Sequence, residues 1–576
     1  MKIRFVEIEN FRGISALSWA PSSHVNCLIG PGDSGKTTIL DAIELVLAAR
    51  YQVGFNDTDF HAADHNKSIS ITVTLGDLPD AFRAMNKYGE LLRGWDAANQ
   101  VVVDEPDDTA GLEYALSVRL TVDRTLEPKW RIYTDRTVEG AKAERGLSFE
   151  DRQSIAPTRL GVYADRHLAW GKQSVLTRLS GKDKMAVDVL VEATRTARKH
   201  FTESGEALFK DVVDRVPKLA APIGVKLSGT VSARLDVESV SVTAGGISLH
   251  EGDLPLRLLG SGSSRLLVAA LQDQTADASP IALIDELEHA LEPHRISRLL
   301  RYLKAKHDGE RPQLFLTTHS PIVLQELSVE DIVVVRRDSA SGKVIALPAN
   351  SNLADLDAQG PLRAVPEAYL GRSVLVCEGK TEVGLVRGLD HFWSKNAKEP
   401  LATLGVVPIN GGGKDSAPKH AKHFHALQYG CALLLDSDKN PDDATILPEL
   451  TALGVSVVRW EKGKASEDVL FRDLGDAAVK KIVDILASED DLQGIPDQLQ
   501  NQFSDSVRNW NELKRRCTEP AIRTHLAECA KKSGWLKKHM SVSERIGREV
   551  LGPNLSELKG ENETCMTSLR VWIDGQ

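Results

Sequence analysis

The sequence predicts an α/β protein in which two domains of that class follow each other along the chain. Near the N-terminus, a Gly-rich phosphate-binding loop lies between a strand and a helix. In the last third of the chain, three apolar strands each run into acidic residues. With 576 residues the chain is too long for one hydrophobic core, so more than one domain is expected.

Composition narrows the class of protein before any motif is considered. The chain carries 71 Lys and Arg against 81 Asp and Glu, a formal charge of −10. This excess of acidic residues argues against a protein that coats nucleic acid with a generally basic surface. Any DNA contact must therefore be local or mediated by metal ions. The six cysteines lie far apart without a C-x-x-C pair, which supports neither a zinc site nor a disulfide framework.

Targeting signals are not evident in the sequence. No apolar run approaches the roughly 18 residues that a membrane span needs. The N-terminus alternates like a strand and lacks the apolar core of a signal peptide. We therefore expect a cytoplasmic protein with reduced cysteines and no membrane partner.

The first predicted functional element is the loop between the strand 25–29 and a helix expected over 38–50. Gly30, Gly35, Lys36 and Thr37 occupy the fixed places of G-x-x-x-x-G-K-[ST]. Backbone N–H groups of such a loop turn toward a phosphate chain, and the lysine places a charge on the β- and γ-phosphates. Thr37 is expected to bind Mg²⁺. The predicted ATP-binding residues of this loop are Gly30, Gly32, Ser34, Gly35, Lys36, Thr37 and Thr38.

A helical segment interrupts the α/β pattern at 172–218. Its apolar residues recur at helical spacing for tens of residues without turn signals. An inserted helical pair is the simple interpretation. An amphipathic pair with no other domain to cover it needs a partner, so the sharper interpretation is a surface for dimerisation.

Three further signals follow in order, each weak alone. A Gly/Ser turn at 259–265 precedes a helix, the apolar strand 281–284 ends in Asp285 and Glu286, and the strand 311–317 leads to His319. Together with the phosphate loop, they resemble the head domain of ABC-type ATPases, particularly the structural-maintenance and repair ATPases. The resemblance implies that Asp285 holds Mg²⁺ through water, Glu286 polarises the attacking water and His319 contacts the γ-phosphate.

The same resemblance gives the Gly/Ser turn a role between subunits. The turn, including Ser261 and Gly262, would be presented to ATP held by a second subunit. One departure stands out: Gly260 occupies the serine position of the familiar Leu-Ser-Gly-Gly-Gln signature. Either Ser261 or Ser263 serves instead, or hydrolysis is slow.

After a predicted linker, a second set of strands delivers acidic side chains. Strand 373–377 ends in Glu378, and strand 431–435 ends in Asp436 and Asp438. Glu382 lies one turn into the helix after Glu378, and a third strand over 455–460 runs toward Glu467. The carboxyl ends of parallel strands meet at one edge of a sheet, where ligands bind in α/β folds. Carboxylates at this density indicate Mg²⁺ or Mn²⁺.

This acidic pattern resembles the TOPRIM fold of topoisomerases, primases and some nucleases. An ABC-type head followed by TOPRIM resembles, over nearly the full length, the OLD (overcoming lysogenization defect) family of nucleases, including the Gabija nuclease subunit and retron-associated effectors. The match implies metal ligands from E-G-x-x-E, D-x-D and the acid after the third strand. These are Glu378, Glu382, Asp436, Asp438 and Glu467. It also implies a catalytic Lys537, with Lys538 as the alternative, because Leu536 replaces an aromatic residue of the family pattern.

The resulting domain prediction has five parts. They are an ATPase domain in two pieces (1–165 and 223–345), an inserted helical dimerisation segment (166–222), a linker (346–370) and a TOPRIM nuclease domain with a helical C-terminal region (371–576).

The implied function is a metal-dependent DNA endonuclease regulated by an ABC-type ATPase and acting in anti-phage defence. The implied cofactors are ATP with one Mg²⁺, and one or two Mg²⁺ or Mn²⁺ ions at the TOPRIM site. The implied partners are DNA, further copies of the chain, and a helicase subunit or a retron reverse transcriptase.

Two alternative functions remain open. One is a non-catalytic, ATP-driven DNA-binding or scaffolding protein of the repair-ATPase type. The other is a topoisomerase or a primase. Strand passage needs a tyrosine nucleophile, and Tyr429, interpreted as an edge residue, is a poor candidate. Primases usually carry a zinc module, which the cysteine spacing does not support.

Overall fold

The computed structural model of the chain describes residues 1–49, 53–106, 111–136, 145–161, 165–170, 174–176, 183–204, 206–220, 229–233, 247–273, 280–304, 312–338, 340–350, 359–503 and 507–576. Two α/β parts follow each other, as the sequence predicts. Residues up to 350 build two large sheets and a two-stranded one, and residues from 371 onward build a third large sheet with a helical region beyond it. None of the described helices combines the length and apolar character that crossing a membrane requires.

The first part contains fifteen of the described strands and nine described α-helices. The strands are β1 (Lys2–Phe11), β2 (Ile14–Trp19), β3 (Val25–Ile29), β4 (Ile69–Gly76), β5 (Arg93–Asp96), β6 (Val101–Val103), β7 (Glu113–Val122), β8 (Pro128–Tyr133), β9 (Thr158–Leu160), β10 (His250–Glu251), β11 (Leu254–Pro255), β12 (Ile281–Ile284), β13 (Gln313–Thr317), β14 (Ile332–Arg337) and β15 (Val344–Pro348). The helices are α1 (Lys36–Val46), α2 (Asp80–Arg83), α3 (Phe149–Ile155), α4 (Asp183–Ser204), α5 (Lys210–Val213), α6 (Val216–Ala220), α7 (Ser261–Asp273), α8 (Pro293–Lys304) and α9 (Pro321–Glu326).

The two large sheets of this part enclose α1. One sheet is antiparallel, in the order β2-β1-β4-β7-β5-β6 with β8 beside β7, and the other has the order β15-β14-β3-β13-β12-β9. In the second sheet all pairs are parallel except β14 with β15. Every residue of β13 is buried, because both faces of this sheet are covered. Ile39 and Ile43 of α1 share a core with Val73 of the first sheet and Phe315 of the second, which fixes the phosphate loop between them.

The inserted segment contains three α-helices in its described residues. The helices α4, α5 and α6 lie within the predicted range 166–222. Large apolar side chains of the segment are exposed, namely Val189, Val212 and Leu219 on these helices and Leu208 on the 3₁₀ turn Glu206–Phe209. Residues 171–173, 177–182, 205 and 221–228 of this region lie outside the described residues. Dimerisation through the segment stays a prediction.

The second part contains four strands and fourteen α-helices in its described residues. The strands are β16 (Ser373–Cys377), β17 (Val406–Asn410), β18 (Gly430–Leu435) and β19 (Ser456–Arg459). The helices are α10 (Gln359–Ala364), α11 (Glu367–Leu370), α12 (Lys380–Lys395), α13 (Leu401–Leu404), α14 (Ser416–Ala426), α15 (Ile446–Ala452), α16 (Ser466–Asp468), α17 (Asp476–Ala487), α18 (Ile495–Gln502), α19 (Trp510–Arg516), α20 (Pro520–Ser533), α21 (Trp535–Lys538), α22 (Met540–Ile546) and α23 (Glu561–Asp574). The sheet is parallel throughout, in the order β17-β16-β18-β19.

Glycines bring the C-terminal helical region against α12. A Cβ atom on Gly388 would lie 2.1 Å from the carbonyl oxygen of Glu544, and one on Gly384 would lie 2.6 Å from Cβ of Ser543. On the facing chain, a Cβ atom on Gly547 would lie 2.5 Å from the carbonyl oxygen of Leu385. Side chains at these positions would push the backbones apart. The close approach holds the region that carries Lys537 next to the strand ends of the second part.

The two parts share one hydrophobic core. Val374 and Val376 on one face of β16 belong to the same cluster as Ile29 and Leu316 of the first part. Leu375, on the opposite face of β16, belongs to the cluster formed with the C-terminal helices. The TOPRIM-like sheet is therefore packed between the first part and the helical region.

The predicted linker 346–370 differs from what the structure contains. β15 pairs with β14 up to Pro348, and the helices α10 and α11 bury Leu362, Ala368 and Tyr369 in the shared core. The sequence interpretation relied on the Ser, Ala, Gly and Pro content and missed these buried residues. In its described residues, 346–350 and 359–370, the segment packs against the two parts.

Tyr429 is buried, which corrects its interpretation as an edge residue. Only 3% of it is exposed, and its hydroxyl donates to the carbonyl oxygen of Tyr369 at 2.6 Å. The guanidinium carbon of Arg336, on β14, lies 3.7 Å from the centre of its ring. Because the hydroxyl is engaged inside the core, Tyr429 is a packing residue between the two parts.

Candidate active sites

The phosphate loop connects β3 to α1, as its motif requires. Nζ of Lys36 donates to the carbonyl oxygens of Gly30 at 3.0 Å and Pro31 at 2.8 Å, and burial lowers the pKa of this lysine. Gly35 has φ 99°, a backbone conformation that favours glycine. Gly30 has φ 149°, and a Cβ atom there would lie 2.2 Å from the carbonyl oxygen of Val335 on β14. The loop therefore needs both glycines.

Asp285 follows β12 and lies directly beside the loop. Its Oδ1 accepts hydrogen bonds from the hydroxyls of Thr37 at 3.2 Å and Thr317 at 2.6 Å. Its Oδ2 accepts from Nη2 of Arg159 on β9 at 3.1 Å. The structure thus brings together Thr37 and Asp285, the two residues predicted to hold the Mg²⁺ of ATP. A hydroxyl and a carboxylate are hard oxygen donors, so the pair fits that ion.

The other predicted catalytic residues of the ATPase lie at the same strand ends. Glu286 has φ 46°, its backbone N–H donates to the hydroxyl of Thr317 at 2.8 Å, and its side chain is half exposed. His319, after β13, is exposed, and its backbone N–H donates to Oε1 of Glu288 at 2.7 Å. Both residues therefore follow strands of the sheet that carries the phosphate loop, and both side chains are accessible to solvent.

The Gly/Ser turn opens α7. Ser261 is exposed, whereas Gly262 is buried, and a Cβ atom on Gly262 would lie 2.3 Å from the carbonyl oxygen of Ala290. The fully buried Arg265 donates to the backbone oxygens of Asp285 at 2.5 Å and Glu286 at 2.9 Å. Arg265 thereby fixes the turn to the Asp-Glu segment, a contact that no motif predicted.

In the second part, four predicted acids gather at the carboxyl edge of β16 and β18. Oε2 of Glu378 accepts from the backbone N–H of Asp436 at 3.1 Å, which joins the ends of the two strands. Oε2 of Glu382 accepts from the backbone N–H of Gly379 at 2.8 Å. Glu382 and Glu467 are buried, whereas Glu378 and Asp436 are partly exposed.

Ser466 connects these acids, and the sequence analysis did not single it out. Its hydroxyl lies 2.8 Å from Oε1 of Glu382 and 3.0 Å from Oδ1 of Asp436, and its backbone N–H donates to the same Asp436 oxygen at 2.9 Å. The indole N–H of Trp460 donates to the Ser466 hydroxyl at 3.0 Å. In the sequence, the signal for Ser466 was its position directly before Glu467, a predicted site residue.

The cluster carries more negative charge than its surroundings compensate. Burial, followed by the neighbouring carboxylates, raises the pKa of Glu378 and Asp436. Burial raises the pKa of Glu382. Burial and the charge of Glu382 raise the pKa of Glu467 to about 7. Asp438 is exposed, and its charge contributes to the raised pKa of Glu378. Crowded carboxylates of this kind favour either protons or a cation.

Two lysines from the C-terminal helical region act on the cluster. Lys537, on α21, is exposed, and its charge opposes the rise in the pKa of Glu382. Lys531, on α20, has Nζ 2.8 Å from Oδ2 of the buried Asp468, and its charge opposes the rise in the pKa of Glu467. Lys538 is also exposed on α21. The predicted Lys537 thus lies within electrostatic reach of the acids, together with a second lysine that was not predicted.

The acids fit a divalent cation by their chemistry. Among the described residues, no group of three or more His, Cys, Asp or Glu side chains is arranged as a ready metal site. Carboxylate oxygens are nevertheless the ligands that Mg²⁺ and Mn²⁺ prefer, and a cation would offset the mutual repulsion of these buried carboxylates. The donor set fits the predicted metal, and its side chains have to turn toward an ion to hold it.

A cavity of about 690 Å³ opens beside the cluster, between β19 and α23. Its wall includes Asp438, Lys462 and the hydroxyl residues Thr564 and Ser568. Arg459 lines it as well and donates to the carbonyl oxygen of Asp436 at 3.1 Å. The volume lies within the roughly 300–1,000 Å³ of ligand sites.

Comparisons with protein families match both parts of the chain. Residues 1–105 match the model "AAA ATPase domain", and residues 120–325 match "AAA domain, putative AbiEii toxin, Type IV TA system". Residues 370–438 match "Overcoming lysogenization defect protein-like, TOPRIM domain".

Two curated relatives carry the name DNA replication and repair protein RecF. The protein of Prosthecochloris aestuarii is 41% identical over 58 residues, which span 10% of this chain and 15% of the relative. The protein of Anaeromyxobacter dehalogenans is 25% identical over 360 residues, which span 55% of this chain and 92% of the relative.

Solved structures with detectable likeness include an SMC head domain from Thermotoga maritima, with 17% identity, TM-score 0.29, and coverage of 60% of this chain and 99% of that one. Another is an SMC head bound to the C-winged helix domain of ScpA, with 12% identity, TM-score 0.33, and coverage of 60% and 98%.

The chain therefore combines an ATPase domain with a TOPRIM domain that follows it, and the predicted fold class is confirmed. Its TOPRIM match is to the overcoming lysogenization defect group. Similarity to the Gabija subunit and to retron-associated effectors stays a prediction.

Proposed function

We propose that the chain is a metal-dependent DNA endonuclease whose cutting is regulated by its ATPase domain. One observation carries the proposal: Glu378, Glu382, Asp436 and Glu467 meet at one edge of the TOPRIM sheet, with pKa values raised by burial and by one another. This arrangement suits the hydrolysis of phosphodiester bonds with the help of divalent cations.

The proposed roles follow from the positions of the side chains. Glu378, Glu382, Asp436, Asp438 and Glu467 would hold one or two Mg²⁺ or Mn²⁺ ions. Such ions lower the pKa of a bound water and draw charge from the leaving oxygen.

Other side chains of the chain would orient the metal ligands and neutralise the charge of the phosphate. Ser466 keeps Glu382 and Asp436 in a fixed relation, which is supported by its short contacts to both. Lys537 would neutralise the charge that develops on the phosphate, a contribution of about 2–4 kcal/mol by analogy with other preorganised charges.

The ATPase half would act as the regulator. Closing of two heads on ATP would change which DNA reaches the acidic cluster, since a ligand shifts an equilibrium by its different affinity for two states. The proposal includes a homodimer or higher homo-oligomer, a cytoplasmic location and a role in anti-phage defence, with a helicase subunit or a retron reverse transcriptase as the partner class.

A plasmid assay tests the proposal directly. Supercoiled DNA incubated with the protein and Mg²⁺ or Mn²⁺, with nucleotide varied independently, should become nicked. Asp436→Asn and Glu378→Gln should stop nicking and leave ATP binding intact. Asp442→Asn is the matched control, because Asp442 follows the same strand but is exposed and pairs with Lys414. Nicking that survives in both cluster variants would disprove the assignment.

A second candidate function is a non-catalytic, ATP-driven DNA-binding protein of the repair type. It is favoured by the likeness to RecF, which covers 92% of one relative. Plasmid that stays supercoiled with both metals and every nucleotide, together with ATP-dependent DNA binding, would support this alternative.

A further inference from the structure

Arg159 occupies a position in the ATPase site that no sequence motif marks. It lies in the middle of β9, next to β12, and only 12% of its side chain is exposed. Its Nη2 lies 3.1 Å from Oδ2 of Asp285 and 2.9 Å from Oδ1 of Asp41, and its Nη1 lies 3.2 Å from Oε2 of Glu44. One guanidinium therefore joins three carboxylates.

These three carboxylates belong to the two elements that form the nucleotide site. Asp41 and Glu44 lie on α1, the helix that begins with Lys36 and Thr37, and Asp285 follows β12. Because a guanidinium is planar and rigid, its contacts fix the directions of the groups that it binds. Arg159 thus sets the position of α1 relative to the end of β12.

In these contacts, the two carboxylate oxygens of Asp285 have different partners. Oδ2 is taken by Arg159, and Oδ1 faces the hydroxyls of Thr37 and Thr317. A carboxylate held at one oxygen by a cation presents its other oxygen in a defined direction. In this site the presented oxygen is the one beside Thr37.

We propose that Arg159 is a positioning residue for the Mg²⁺ that accompanies ATP, acting by holding Asp285 and α1 so that Asp285 and Thr37 face the same ion. This inference rests on the proposed binding of Mg²⁺-ATP at the loop. The guanidinium itself does not touch the nucleotide in this role. Partners that orient metal ligands typically change metal affinity about 10- to 100-fold when they are removed.

Binding of a fluorescent ATP analogue to the full chain tests the proposal without any turnover. In EDTA, Arg159→Met should bind the analogue within about twofold of the unaltered chain, because the loop and Lys36 are retained. The Mg²⁺ concentration that gives half of the Mg²⁺-dependent change in binding should rise about 10-fold. An unchanged Mg²⁺ dependence would overturn the proposal.

Glu44→Gln is the matched control. It removes a partner of Arg159 that is 46% exposed and leaves the contact between Arg159 and Asp285 in place. Because Asp41 still holds α1 against Arg159 at 2.9 Å, its Mg²⁺ dependence should lie much closer to that of the unaltered chain than to that of Arg159→Met. A shift in Glu44→Gln as large as in Arg159→Met would mean that the network acts only through the stability of α1, and this would also overturn the proposal.

Arg159→Lys keeps the measurement decisive if the methionine variant does not fold. Lysine retains the charge but not the fork that reaches two groups at once, so a rise of about threefold or more in the required Mg²⁺ is expected. No rise would overturn the proposal. This measurement is independent of the proposed function. If the chain neither hydrolysed ATP nor nicked DNA, the proposed function would be disproved, but Mg²⁺-dependent binding of the analogue could still be measured.

Discussion

At the scale of single residues, hydroxyl groups organise the carboxylates of both sites. Thr37 and Thr317 hold one oxygen of Asp285, and Ser466 holds one oxygen each of Glu382 and Asp436. A short hydroxyl side chain can reach a carboxylate without adding charge to a crowded site. These small groups therefore have large predicted effects.

Ser466→Ala should lower Mg²⁺-dependent nicking about 10-fold or more, because the hydroxyl that lies between Glu382 and Asp436 is lost, although the backbone N–H at this position still donates to Asp436. ATP hydrolysis should not change. Plasmid nicking over a range of Mg²⁺ concentrations measures the effect. Ser394→Ala is the control, since that exposed serine only donates to the carbonyl oxygen of Asp390 within its own helix. Equal nicking by the two variants would contradict the role given to Ser466.

Lys36→Ala should abolish ATP turnover, because the charge that faces the β- and γ-phosphates is lost. Release of phosphate measures turnover. Lys67→Ala, which alters a side chain that is 76% exposed, should hydrolyse ATP normally. Turnover that persists in Lys36→Ala would remove the assignment of the loop.

At the scale of elements, the sequence predicted the strands that end in functional residues better than the contacts between them. The buried strands β3, β12, β16 and β18 are mostly apolar and are followed by glycine or acid, so the pattern located their ends within one or two residues. β17 was not predicted, because it contains Pro408 and ends without a charged residue. It is the edge strand of its sheet, and pairing with β16 fixes its position.

Side chains that contact residues on other elements were harder to predict from the sequence. Arg159 is a charged residue inside a short buried strand, which is unusual, but its three partners lie on elements far apart in the sequence. Ser466 and Lys531 become relevant only when α16 and α20 meet the strand ends. Motif spacing fixes which residues lie at an edge, and tertiary packing fixes which of them touch.

The glycine contacts of α12 make a prediction about stability. Gly388→Ala should lower the free energy of unfolding by about 1–3 kcal/mol, because its Cβ meets the carbonyl oxygen of Glu544. This loss outweighs the gain in helix propensity of up to about 1 kcal/mol. Urea denaturation measures it. Gly494→Ala is the control, with a predicted change within about 0.5 kcal/mol, since its Cβ would have no neighbour closer than 3.9 Å.

At the scale of the whole molecule, the described residues of the ATPase and TOPRIM parts pack against each other. Val374 and Val376 of β16 share a core with β3 and β13, and Arg336 of β14 stacks on Tyr429. β14 also pairs with β3, and its Val335 carbonyl lies against Gly30 of the phosphate loop. Composition alone suggested a linker here, because buried residues in short helices carry no periodic signal.

A fragment of residues 371–576 should therefore fail to unfold cooperatively. Separation from the first part would expose the face of β16 that carries Val374 and Val376, and exposed apolar surface of this kind binds hydrophobic dyes. Urea denaturation and dye binding, compared with the full chain, measure this. A fragment with a sharp transition and no dye binding would show that the shared core is dispensable.

The stacking of Arg336 on Tyr429 has a mechanical consequence. Tyr429 directly precedes β18, whose far end leads into Asp436, and Arg336 directly follows the residue whose carbonyl abuts Gly30. The contact beside the phosphate loop is therefore joined to the acidic cluster of the second part through Arg336, Tyr429 and β18. A shift of β14 on nucleotide binding would reach that cluster along this path.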